Sequence, residues 1–198
     1  MEARDQLLEF LRMSFQTDHE QILDALSNMV HMVAVPKGTS LFRAGECTEE
    51  AFLLYDGIVR MYYVNENGVE VTEWLPNCPG SVIYSSYKLE VRDIAKVSCD
   101  AVTDCVLVRF CAADLLELSQ RQPEFDQIRL RKLQETLDRQ AKLKRIMEHR
   151  TPSERYAWLQ ENRSWIVEKV PQKYIASFLG MTPVSLSRIR SRYKKKDA

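Results

Sequence analysis

From Glu124 to Arg150 no glycine or proline interrupts the chain, and Pro123 stands where a helix can open at its first turn. That run divides the 198 residues into three stretches: 1–122, 123–150 and 151–198. Within it Leu130, Leu133, Leu137 and Met147 fall near a seven-residue register, with Gln140 and Lys144 as polar breaks. Phe125, Ile128, Leu143 and Ile146 lie on a second apolar face. A helix with two apolar faces can pack on its own domain and on a partner at once, so the first four residues are the expected seam of a homodimer. A helix buried inside a monomer is the plainer alternative.

The stretch before the helix changes texture once. Leu7, Leu8, Phe10 and Leu11, then Ile22, Leu23, Leu26 and Met29, recur at helical spacing, which predicts one or two amphipathic helices over 5–30. From Val33 short β-type runs follow: Ser40–Phe42, Ala51–Tyr55, Ile58–Val64, Val69–Leu75, Lys96–Ala101 and Cys105–Phe110. Turn signals separate them, among them Pro36-Lys37-Gly38, Tyr55-Asp56-Gly57 and Pro79-Gly80. Asn67-Gly68 marks a hairpin, since both residues accept positive φ. Many short, evenly spaced strands predict a closed roll or barrel, not a parallel sheet.

After the long helix, Thr151-Pro152-Ser153-Glu154 has the pattern of a capping box and restarts a helix to about Asn162. Residues 172–192 then hold the most specific signal. Ile175 and Leu179 share a face of one short helix, Ala176 is small where a second helix must cross, and Gly180 ends the first. Thr182 caps the second helix, Pro183 opens it, and Leu186 and Ile189 face inward. This is the plan of a helix-turn-helix, whose second helix lies in the DNA major groove. Its outward face carries Val184, Ser187, Arg188 and Ser191. Arg188 can donate two hydrogen bonds to a guanine edge and Val184 can touch a thymine methyl. Thr182, Ser185, Arg190 and Lys194 are placed for phosphates, which set register without reading sequence.

Net charge is zero by cancellation: the balance is −9 over 1–123, +3 over 124–150 and +6 over 151–198. Six basic residues and no acidic one lie between Pro183 and Lys196, an asymmetry that suits a polyanion at that end. The five cysteines (Cys47, Cys78, Cys99, Cys105, Cys111) form no C-x-x-C pair and meet no His at zinc-like spacing, so neither a disulfide framework nor a metal is expected. No nucleophile–base pairing or phosphate loop appears, and the expectation is a protein that is not an enzyme. Acidic residues near the N-terminus and the lack of a long apolar run give a cytoplasmic reading with no membrane partner.

Three blocks resemble the Crp/Fnr superfamily of bacterial transcription regulators. They are Pro36-Lys37-Gly38 with Leu41–Glu46, then Leu53–Arg60, and Tyr174–Arg190, within a match over residues 20–192. The resemblance implies an α+β fold: a β-roll (jelly-roll) sensor domain, a long dimerisation helix, and a C-terminal helical helix-turn-helix domain. It implies a homodimer on a two-fold symmetric site in double-stranded DNA, and contact with RNA polymerase. The effector pocket would involve Gly80, Ser81, Arg92, Asp93 and Gln140. In relatives that bind cyclic AMP, a Glu that holds the ribose follows the glycine matched by Gly80; here Ser81 stands there. The residues matching their phosphate-gripping triplet are Asp93-Ile94-Ala95, with Arg92 one position away and so on the opposite face of a strand. Gln140 and Ala141 match the adenine contacts without the hydroxyl pair. These departures imply an effector other than cyclic AMP, or none, and no cofactor. Pro183 and Val184 replace the family's common Arg and Glu base readers, leaving Arg188. The other reading of the same residues is a sensor module whose C-terminal helices bind a protein in place of DNA.

Overall fold

The computed structural model describes residues 2–85 and 93–194. Arg92, Lys195 and Lys196, and the side chains of Asp93 and Lys194, lie outside the described residues. Two amphipathic helices, α1 (Glu2–Phe15) and α2 (Glu20–Met29), open the chain. Gln16, at φ +50°, turns it between them, so the apolar pattern over 5–30 resolves into two helices.

Ten short strands follow: β1 (His31–Val35), β2 (Ser40–Phe42), β3 (Cys47–Thr48), β4 (Glu50–Asp56), β5 (Val59–Val64), β6 (Glu70–Trp74), β7 (Val82–Ile83), β8 (Asp93–Ile94), β9 (Ser98–Ala101) and β10 (Cys105–Cys111). They form two antiparallel four-stranded sheets, ordered β1-β10-β4-β7 and β2-β9-β5-β6, and the small pair β3-β8. Phe42, Phe52, Leu54, Met61, Trp74, Ile83 and Leu107 meet in the roll interior. On β4 the alternate residues Ala51 and Leu53 face the other way, into a second core with Phe10, Leu11, Ile22, Leu26 and Phe125. The first sheet is therefore buried on both faces, which is why β4 reads as an unbroken apolar run.

The hairpin between β5 and β6 differs in detail from its expected form. Gly68 takes positive φ, but Asn67 does not, so the tight two-residue turn is absent. Asn65 organises a longer loop instead: its side-chain oxygen accepts from the backbone N–H of both Asn67 and Val69, each at 3.0 Å.

After α3 (Ala112–Arg121) the expected long helix is present as α4 (Pro123–His149). Phe125, Ile128 and Thr136 face inward and are buried, while Leu143 touches both the roll interior and the C-terminal core. Thr151 and Glu154 close both halves of the capping box that starts α5 (Pro152–Asn162). Then come α6 (Ser164–Lys169), α7 (Gln172–Phe178) and α8 (Pro183–Lys194). Their core of Tyr156, Leu159, Ile166, Ile175, Leu179, Leu186 and Ile189 continues into the roll through Ile58, Leu75 and Val102. The sheets and helices give the α+β class expected. Among the described residues no helix is long and apolar enough to cross a membrane.

Candidate nucleic-acid interface

Helices α7 and α8 form the expected turn. Gly180, at φ +64°, donates to Ser177 O, and Met181 N donates to Ala176 O at 2.9 Å, so the last carbonyls of α7 are met by the chain that leaves it. Arg155 of α5 clamps the same point, its Nη1 on Leu179 O and its Nε on Arg150 O, both at 2.9 Å. Thr182 Oγ1 accepts from Ser185 N at 3.2 Å and caps α8. Ala176 and Leu186 are fully buried, so the two helices meet where the small residue allows.

The outward face of α8 is an open surface. Pro183, Ser187, Arg188 and Ser191 are exposed, and Val184 is 60% exposed although it is apolar. Ser191 Oγ donates back to Ser187 O at 3.0 Å, so those two hydroxyl groups lie along one stripe with Arg188 between them in sequence. Thr182 and Ser185 share a hydroxyl contact of 3.0 Å at the start of the helix. Arg190 is placed differently: it is half-buried, with its charge beside Tyr156. Burial pushes the Tyr156 phenol up, and Arg190 opposes that shift. Lys194 ends α8.

The helix-turn-helix is docked on the roll. Ser177 Oγ accepts from Thr72 N at 2.8 Å and donates to Glu70 O at 3.2 Å, joining α7 to β6. Behind this contact Arg60 of β5 is only 2% exposed. Its guanidinium lies 4.2 Å from the ring centre of Tyr62 and 4.0 Å from that of Tyr174 on α7. Nε donates to Thr72 Oγ1 at 2.8 Å and Nη1 to Glu70 Oε2 at 2.6 Å. A buried guanidinium is costly unless paired and hydrogen-bonded; here four groups from three elements meet it. Sequence reasoning placed Arg60 and Tyr174 in separate blocks and gave neither this role. The available signal was an arginine in the middle of the apolar strand Ile58–Val64.

The residues expected at the sensor pocket and the seam are dispersed. Gly80 and Ser81 are buried beside β4, with Gly80 N on Leu54 O at 2.8 Å and Leu54 N on Ser81 O at 2.9 Å. Gln140 reaches the roll through Tyr84, donating to its phenol oxygen at 3.0 Å. Asp93 pairs with Thr48 in the small sheet, and Arg92 lies outside the described residues. Of the four seam residues, Leu130 and Leu137 are 50% and 49% exposed, while Leu133 and Met147 are half-buried within the single chain. Among the described residues no cluster of His, Cys, Asp or Glu could hold a metal ion.

No family profile and no curated protein matches this sequence. Solved structures do match in shape. The c-di-GMP responsive global regulator CLP of Xanthomonas campestris aligns with a TM-score of 0.70 at 14% identity, over 90% of this chain and 93% of that one. FixK2 of Bradyrhizobium japonicum aligns at 0.69 and 16%, over 85% and 86% of the two chains. The catabolite activator protein of Thermus thermophilus aligns at 0.53 and 21%, over 93% and 88%. A β-roll, a long helix and a C-terminal helix-turn-helix follow one another in this order, and the chain thus has the fold of the Crp/Fnr-type regulators.

Proposed function

We propose that the protein is a cytoplasmic DNA-binding transcription regulator that acts as a homodimer. The observation that carries this reading is the face of α8. Val184, Ser187, Arg188 and Ser191 are solvent-facing on a helix whose other side is locked by Leu186 and Ile189. Nothing in the packing of the domain requires an exposed valine beside an arginine there, whereas a major groove offers both a methyl group and a guanine edge. Leu130 and Leu137, half-exposed on α4, supply the apolar strip through which a second copy would pack. Regulation would shift the helix-turn-helix about the hinge at 148–153, against the docking contacts of Arg60 and Ser177. The effector, if one acts, is not cyclic AMP.

The test is the affinity of the full chain for duplex DNA as salt is varied. A dimer with about six to ten phosphate contacts loses roughly three or more orders of magnitude in affinity between about 50 and 200 mM salt. Arg188→Ala costs about 1–3 kcal/mol on a specific site. Affinity indifferent to salt, with Arg188→Ala neutral, would point to a protein partner for these helices.

A further inference from the structure

A cavity opens between α3, α4 and the outer face of the first sheet, and Gly80, Ser81 and Gln140 are not among its lining residues. Thirteen of the described residues line it, and nine of these have hydrocarbon side chains, among them Leu53, Phe110, Leu115 and Leu133. The charged residues among the described residues of its wall are Arg129 and Lys132; Asp126 holds the first closely and Glu135 the second only loosely. Its volume is about 60 Å³. A hydrocarbon-lined cavity of about 150 Å³ takes a benzene ring, so this volume is small for a base, a fused ring system or a porphyrin and is compatible with a single hydrocarbon chain.

Lys132 is the feature that packing alone does not explain. Its side chain is 12% exposed, and its ion pair with Glu135 spans 3.9 Å, too long for a hydrogen bond. Arg129, by contrast, is held by Asp126 through two bonds of 3.1 and 2.7 Å. Burial pushes the Lys132 ammonium down, with Glu135 opposing the shift and Arg139 and Arg131 adding to it. An ammonium held in this way, beside two arginines and a hydrocarbon wall, is stabilised by an anion that brings its own apolar tail.

We propose that this cavity binds an unbranched aliphatic carboxylate, its chain in the cleft and its head on Lys132 with Arg129 behind it. Leu133 of the same wall belongs to the expected dimer seam, and Tyr84 of the wall is tied to Gln140 two turns further along α4. A ligand here bears on the helix that leads to the hinge. That consequence rests on the regulator reading, whereas the binding itself does not.

The probe is hexanoate, titrated calorimetrically into the full chain in the absence of DNA, with hexylammonium as the charge-reversed control. Hexanoate is expected to bind and to raise the melting temperature, and hexylammonium to do neither. Lys132→Met, which keeps the length of the side chain, should weaken hexanoate by about tenfold or more while the unliganded variant still unfolds cooperatively. Ala112→Leu, which fills the cleft from α3, should abolish binding. Equal binding of hexanoate and hexylammonium overturns the assignment of the head group. No saturable binding of hexanoate below about 10 mM overturns the site, as it would if a partner's side chain filled the cleft. A negative result here leaves the DNA reading standing, and a failure to bind DNA leaves this site standing.

Discussion

Gly57 turns the chain from β4 to β5 at φ +103°, and a Cβ added there would sit 2.6 Å from Cys105 Sγ and 2.7 Å from Asp104 O. Both the backbone angle and the contact oppose any side chain, so Gly57→Ala should cost about 2–4 kcal/mol. Urea unfolding measures this directly; a loss under about 1 kcal/mol would mean the turn relaxes away from Cys105. This residue was legible, because a glycine after Tyr55-Asp56 and before an apolar run can be read as a turn. Thr182 and Gly180 were legible for the same reason: caps act on their own helix, and the chemistry is local. Arg60 was not. Three of its four partners come from β6 and α7, 10 to 114 residues away in sequence, and no periodicity reports what a side chain will face.

Elements with a long period or a strong start signal were read correctly: α4 from its unbroken run, α5 from its capping box, and β4, β5, β6, β9 and β10 from β-type residues between turns. The strands that escaped are those without a pattern to read. β3, β7 and β8 are two residues each, and β1 begins with exposed His31 and Met32 ahead of its buried Val35. The docking of α7 on β6 is likewise a property of two surfaces. It depends on Ser177, whose hydroxyl serves Thr72 N and Glu70 O together. Two hydrogen bonds of about 0.5–1.5 kcal/mol each hold this edge, so Ser177→Ala should free the helix-turn-helix more often. The Arg150–Thr151 bond at the hinge then becomes a better target for trypsin, by roughly 5- to 150-fold under conditions where opening is fast. Cleavage at an unchanged rate would show that the apolar contact through Ile58, Leu75 and Val102 holds the domain without Ser177.

Charge orders the whole molecule: the stretch that builds the roll is acidic and the stretch that ends in α8 is basic. A polyanion is therefore drawn to one end of the chain and repelled from the other. Fold class and helix-turn-helix were legible because both follow from local patterns repeated along the chain. The cavity beside Lys132 was not, since α1, α3, α4 and the strands β4, β7 and β10 must assemble before it exists. Whether two copies present α8 to DNA is settled by selecting bound sequences from a random duplex pool with the full chain. An enriched motif with two-fold symmetry and half-sites centred about 10–11 base pairs apart is expected. Arg188→Ala should relax one base position in each half. A selected pool indistinguishable from the starting one, or a motif without symmetry, would contradict that arrangement.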